Sequence, residues 1–235
     1  MKRGDFCAFE CIGTGGIIEL MEEIIFVDKP AGITSFGAVA RVRRILSKRE
    51  GKKVKVGHTG TLDPFATGLL ILMAGKATKK AMEFTKLDKV YEATICLGSI
   101  STTGDPEGEI SETHQEIPDI SVIEQTAKSF VGKIRQTPPA FSAIKINGQR
   151  AYKLARQGKA VEIPSREVEI YSLDILSYEK PYLKIRTHVS SGTYIRALAE
   201  DLGKKLGCGA YVTELRRTQI ANYKIDEVPL FDLPA

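Results

Sequence analysis

The stretch "GLLILMAG", Gly68 to Gly75, sets six apolar residues in succession between two glycines. A run with no polar face belongs in the interior, as a buried strand or a buried helix segment. Its neighbours narrow the class of fold. Downstream, "KVYEATICLG" alternates, with Tyr91, Ala93, Ile95 and Leu97 on one face and Val90, Glu92, Thr94 and Cys96 on the other. That is the period of a strand. Upstream, Ile24 to Val27 reads as a short apolar strand ending in a Pro/Gly loop. Phe36, Val39, Val42 and Leu46 then recur at helical spacing behind an N-cap at Thr34 or Ser35. This helix is expected to bury one stripe and turn its arginines outward.

The remaining chain mixes both periods. "KATKKAMEFTK" and Ile120 to Val131 look helical, and "REVEIYSLDILSYE" and "YLKIRTHVSSG" look like strands. Asn147-Gly148 signals a hairpin before a short basic helix. A further helix starts near Thr193 and stops at Gly207, and "AYVTELRRTQI" reads as a last strand. Strands and helices do not alternate regularly, so the fold class is α+β with a mixed sheet rather than a doubly wound fold.

The 235 residues, 43% of them hydrophobic, suit one large domain or a domain with an elaborated insertion. Residues 1–22 read as an N-terminal extension, with Met21 offering an alternative start, and residues 23–235 as the folded domain. The four cysteines and three histidines are scattered without metal-ligand spacing, so no metal is expected. No apolar run is long enough for a membrane helix, and no signal-peptide core is present. A reduced, cytoplasmic setting fits best. The net charge of +5 permits a nucleic-acid partner without demanding one. Its distribution is uneven: Arg41, Arg43, Arg44, Lys48, Arg49, Lys52, Lys53 and Lys55 crowd one run with Glu50 as the only acid. That run is either a solvated helix face or a patch that meets phosphates.

The run leads into "GHTGTLDPFATG", Gly57 to Gly68. A phosphate-cradling loop is excluded at Gly75-Lys76, because Leu70 stands where a glycine is required and Ala77 where Ser or Thr is required. No G-x-S-x-G elbow exists. A glycosidase would need two cooperating carboxylates; the motif offers Asp63, and no second acid sits in a comparable setting. What remains is one carboxylate in a restricted loop. Pro64 keeps Asp63 out of the α region. Gly57 and Gly60 permit close approach, and Thr59 and Thr61 can tie the loop to its own backbone. A lone Asp-Pro is usually an ordinary turn; the density of special residues here favours a working carboxylate.

"GHTGTLDPFATGLLILMAGKATK" resembles the catalytic motif of the TruB family, the bacterial tRNA pseudouridine-55 synthases. "VDKPAGITS", "KVYEATICLG", "TPPAFSAIKINGQRAYKLARQG" and "SSGTYIRALAEDLGKKLGCGAYVTELRR" resemble that family's other segments, in order, from about Glu23 onward. The resemblance implies a largely antiparallel mixed sheet flanked by helices, with an RNA-gripping insertion. It implies isomerisation of uridine 55 in the T-arm stem-loop of tRNA, without cofactor, by a cytoplasmic monomer with no obligate protein partner. By resemblance Asp63 is the catalytic carboxylate, and Arg196 pairs with it and keeps it ionised. Tyr91 stacks on the target base and helps at its carbon 5. Tyr194 shapes the pocket, Leu215 touches the flipped base, and Lys29 and Pro30 brace the site. His58 fills the vacancy left in the RNA stack. Lys145, Arg150, Lys153 and Arg156 join the basic run in gripping phosphates. Many members carry a PUA domain after "ELRR"; here "TQIANYKIDEVPLFDLPA" follows, and no such domain is expected.

Overall fold

The computed structural model describes residues 22–142, 144–146, 148–155, 157 and 163–233. Residues 1–21 of the expected N-terminal extension, Asn147 and Arg156 lie outside the described residues, and Glu22, expected to end the extension, instead belongs to the first strand. The chain opens with strand β1 (Glu22–Lys29), helix α1 (Ser35–Arg49), and strands β2 (Val56–His58) and β3 (Thr67–Gly75). A 3-10 turn over Lys76–Lys80 leads to the short α2 (Ala81–Thr85) and strand β4 (Lys89–Leu97). Then come β5 (Ser99–Ser101), β6 (Ile110–Glu112), α3 (Ile120–Lys128) and β7 (Gly132–Gln136). The insertion holds β8 (Lys145–Ile146), β9 (Gln149–Arg150) and α4 (Ala151–Ala155). The long strands β10 (Arg166–Glu179) and β11 (Tyr182–Val189) precede α5 (Ile195–Leu206), β12 (Ala210–Ile220) and β13 (Tyr223–Lys224).

Among the described residues, nine strands form one sheet in the order β1-β3-β12-β4-β11-β10-β7, with β2 beside β3 and β13 beside β12. Every pairing is antiparallel except β12 with β3. The mixed, largely antiparallel α+β sheet expected from the sequence is therefore present. The last strands close into the middle of the sheet, so β12 brings the late part of the chain beside the opening motif.

The apolar run of β3 is explained by burial on both faces. Leu70, Leu72 and Ala74 face the main core, which holds Ala38, Val39, Val42 and Leu46 of α1 and Ile195, Leu198, Ala199 and Leu202 of α5. Leu69 and Ile71 face a second, smaller cluster with Ile220 and Ile225. Strand β4 has one such face over most of its length: Tyr91, Ala93, Ile95 and Leu97 are buried, while Val90, Glu92 and Thr94 are partly exposed and Cys96, at its end, is buried as well. Helix α5 ends at Gly207, whose φ of 79° is the left-handed cap that glycine favours. Helix α1 is capped by Thr34, whose side chain accepts from Gly37 N at 2.9 Å. Its buried stripe runs through Val39, Val42 and Leu46, and the expectation for Phe36 is overturned. Phe36 is 64% exposed, because Ser35 takes the inward place in the first turn and Phe36 falls beside the buried stripe. Among the described residues, no helix is long and apolar enough to cross a membrane.

Candidate active site

The segment from Thr59 to Ala66 is pinned at almost every residue. Thr59 N donates to Ile71 O at 3.1 Å, and its hydroxyl reaches the same carbonyl, so it ties the loop to β3 rather than to itself. Ser35, first residue of α1, donates to Leu62 O at 2.9 Å and accepts from Leu62 N at 2.7 Å. Asp63 O accepts from Ala66 N at 3.1 Å, and Pro64 O accepts from Gly32 N at 2.9 Å. Below the loop lies Lys29, with no exposed surface. Its Nζ donates to Pro30 O and Ile33 O at 2.8 Å and to Pro64 O at 3.2 Å. Lys29 thus joins the first loop to the Asp63 loop from beneath; buried so fully, it offers no surface to a substrate. Pro30 is exposed and takes part through its carbonyl. Arg217, equally buried, donates from Nε to Leu69 O at 2.7 Å and from Nη2 to Gly60 O at 3.2 Å.

The close approach expected of Gly57 occurs at Gly68 instead. A Cβ on Gly57 would meet nothing within 4 Å, whereas on Gly68, at φ 104°, it would lie 2.3 Å from Arg217 O. There β3 and β12 run parallel and nearly touching.

These elements frame a cleft of about 600 Å³, a size that suits a nucleotide-sized ligand. Asp63, Arg196, Tyr91, His58, Tyr194 and Leu215 all line it. Arg196 Nε lies 2.9 Å from Asp63 Oδ2, off the N–H axis, so the contact is an ion pair rather than an aligned hydrogen bond. Its Nη1 donates to Thr103 O and its Nη2 to Phe141 O, both at 2.8 Å. Tyr91 and Leu215 point into the cleft from β4 and β12, each 8% exposed. Tyr194 precedes α5; its N donates to Gln136 Oε1 at 2.8 Å and its O accepts from Gln136 Nε2 at 3.0 Å. The Arg166 guanidinium lies 5.2 Å from the Tyr194 ring centroid.

A second acid is present, contrary to the sequence reading. Asp105, 3% exposed, places Oδ2 3.1 Å from Arg196 Nη1. It also accepts from Thr103 Oγ1 at 2.5 Å and Glu107 N at 3.0 Å. One guanidinium therefore serves two carboxylates. Burial raises the Asp63 carboxyl above its ordinary value; Arg196 opposes this, and Asp105 adds to it. Arg196 thus limits the rise without cancelling it. Burial also lowers the Lys29 ammonium to about 8, against the pull of Asp63 and Glu107. It lowers His58 too, with Arg217 and Arg150 pushing the same way. His58 Nδ1 is buried without a partner. The cations that line the cleft, Lys89, Arg150, Arg166, Arg196 and Arg217, come from outside the basic run of residues 41–55. Within that run, Arg49 is taken up by Glu23 at 2.8 Å and Glu50 at 3.3 Å.

A family model described as the N-terminal domain of TruB family pseudouridylate synthases matches residues 43–195. A model of the tRNA pseudouridylate synthase B C-terminal domain matches residues 196–235. The chain belongs to the TruB family of pseudouridylate synthases. It is 46% identical over 207 residues to the tRNA pseudouridine synthase B of Bacteroides fragilis, covering 87% of this chain and 89% of that one. It is 44% identical over 214 residues to that of Clostridium acetobutylicum, covering 91% and 72%. Among solved structures it is similar to a Cbf5-Nop10-Gar1 complex, with TM-score 0.66 and 33% identity. It is also similar to an H/ACA RNP bound to a substrate RNA containing 2'-deoxyuridine, with TM-score 0.63 and 30% identity. It spans about half of each of those solved chains, 50% and 49%.

Asp105, Gln136 and Arg217, whose side chains help to build this site, escaped the sequence reading. Asp105 had a signal, since "TGDPEGE" sets an Asp-Pro beside a glycine as "TLDPFATG" nearly does. Gln136 and Arg217 had none, because their partners are backbone atoms 58 and 148 residues away in sequence.

Proposed function

We propose that the protein isomerises uridine 55 in the TΨC arm of tRNA to pseudouridine, with Asp63 as the catalytic carboxylate. The observation that carries this reading is the Asp63–Arg196 pair on the wall of a cleft that Tyr91 and Leu215 also line. The reaction breaks the glycosidic bond, turns the base and joins its carbon 5 to the ribose; the carbon-5 proton is released and the vacated ring nitrogen takes one up. Nothing is oxidised and no water is consumed overall, so the chemistry needs a positioned carboxylate and a place to hold the base. Asp63 acts at the nucleotide in its ionised form, which Arg196 favours by charge. Tyr91 stacks on the base, with Leu215 and Tyr194 around it. A base must leave its stack to reach them, at a cost of about a few kcal/mol. His58 occupies the vacancy, and burial favours its neutral ring, as a wedge within a base stack requires. Arg150 and Lys153 of the insertion bind phosphates. We further propose that residues 23–235 act as one catalytic domain, as a monomer and without a protein partner.

The experiment is incubation with unmodified tRNA followed by mapping of pseudouridine. Wild-type protein should give product at position 55, and Asp63→Asn should give none while binding the RNA. Turnover by Asp63→Asn overturns the assignment of Asp63, and no wild-type product overturns the reading.

A further inference from the structure

Phe36 stands at the mouth of the cleft with 64% of its surface exposed. Single exposed apolar residues are common and need no explanation. Three observations set this one apart. It lines the same cleft as Asp63. Its backbone is held on both sides: Gly37, which follows it, donates to the capping Thr34, and Ser35, which precedes it, is doubly bonded to Leu62, the neighbour of Asp63. The backbone that carries the ring therefore keeps a fixed relation to the catalytic loop. Two turns along α1, the Arg43 guanidinium lies 6.0 Å from the ring centroid, within cation–π range.

We propose that Phe36 is a stacking platform for a nucleobase beside the flipped nucleotide, and that Arg43 binds a phosphate of the same RNA segment. The proposal rests on the reading of the protein as an RNA-modifying enzyme. Extruding one base leaves its neighbours with open faces, and proteins that read single-stranded loops cover such faces with aromatic rings. A ring without polar groups accepts any base. Phe36 thus contributes affinity and register rather than sequence choice. Arginine suits the companion place because its planar guanidinium can lie against the ring and still donate to a phosphate. The platform extends the RNA surface from the cleft onto the exposed side of α1, the element that carries Arg41, Arg43 and Arg44.

The chain contains no tryptophan, so Phe36→Trp installs a single indole reporter at the site. The probe is an unmodified T-arm stem-loop RNA, with binding followed independently by anisotropy of the labelled RNA. Indole emission from the Phe36→Trp protein should be quenched in step with RNA binding, and its KM should stay within about twofold of wild type. Phe36→Ala should raise KM about tenfold at nearly unchanged kcat, melting temperature and salt dependence, because it removes stacking and not charge. Arg43→Gln should reduce the slope of log affinity against log salt by about one. Unchanged indole emission from Phe36→Trp at saturating RNA, or a KM for Phe36→Ala within about twofold of wild type, overturns the platform. Quenching without pseudouridine from the wild-type protein overturns the functional reading alone.

Discussion

Arg196 holds its Nε 2.9 Å from Asp63 Oδ2, and the same guanidinium carries the second carboxylate, Asp105, on Nη1. The arginine is 3% exposed and also donates to two main-chain carbonyls. Two carboxylates and two carbonyls in different directions demand a planar fork, which lysine lacks. Arg196→Lys keeps the charge and loses the fork, so kcat should fall at least about a hundredfold, with some loss of stability. Arg196→Met leaves two acids and two carbonyls without a cation. Removing one partner of a buried ion pair costs about 3–5 kcal/mol, and urea denaturation should show a loss of that size.

Asp63 should act against stability while serving activity. Its folded carboxyl is raised above the ordinary 3.8 by burial. A raised acid favours the folded state fully below its unfolded value and loses that contribution as pH rises through the folded value. At neutral pH the ionised carboxylate is thus a burden that Arg196 only partly relieves. Asp63→Asn should be inactive, by at least about a thousandfold, yet as stable as wild type or about 1 kcal/mol more stable at pH 7. The acid limb of kcat/KM in the wild type should lie above 3.8. Thermal melts from pH 3 to 8 and a pH–rate profile check both statements.

Gly68→Ala tests the contact between β3 and β12. The added carbon would lie 2.3 Å from Arg217 O and 2.7 Å from Arg217 N, both main-chain atoms, at a φ of 104°. Neither atom can move without parting the parallel pair that carries Arg217. Strain at such a φ and overpacking each cost about 1–3 kcal/mol, so a loss of about 3 kcal/mol or more is expected. Gly57→Ala, where the added carbon meets nothing, should fall within about 1 kcal/mol of wild type in the same denaturation assay.

The parts of this fold that could be read from the sequence are those whose burial is local and periodic. Strand β3 shows its two buried faces as an unbroken apolar run, and β4 shows its single buried face as alternation. Helix α5 declares its end through Gly207. Phe36 misled because helical spacing alone places it near the stripe, whereas Ser35, held by Leu62, takes the buried place in the first turn of α1. Asp105 was hidden for a different reason. Its loop reads as an ordinary turn until α5 delivers Arg196, 91 positions later in the numbering, beside it. The Asp63 loop was legible as rigid, but the rigidity comes mainly from Ser35, Lys29 and Arg217 rather than from its own threonines.

Lys29 offers a final test, since its task is confined to main-chain acceptors. Its Nζ serves the carbonyls of Pro30, Ile33 and Pro64. Lys29→Met keeps the buried stem and removes every donor. An unsatisfied buried acceptor costs about 1–3 kcal/mol, so the variant should lose at least about 2 kcal/mol at pH 7. The freed Pro64 carbonyl should also loosen the Asp63 loop, lowering kcat more than it raises KM. The pH dependence separates this from a general packing defect. Burial depresses the Lys29 ammonium from 10.5 to about 8. A depressed group favours folding fully above its unfolded value, and that contribution is lost as pH falls through the folded value. Wild-type stability should therefore gain a Lys29 contribution between about 8 and 10.5 that Lys29→Met lacks. Urea denaturation of both proteins across that range measures the difference, and parallel curves would remove Lys29 from this place in the structure.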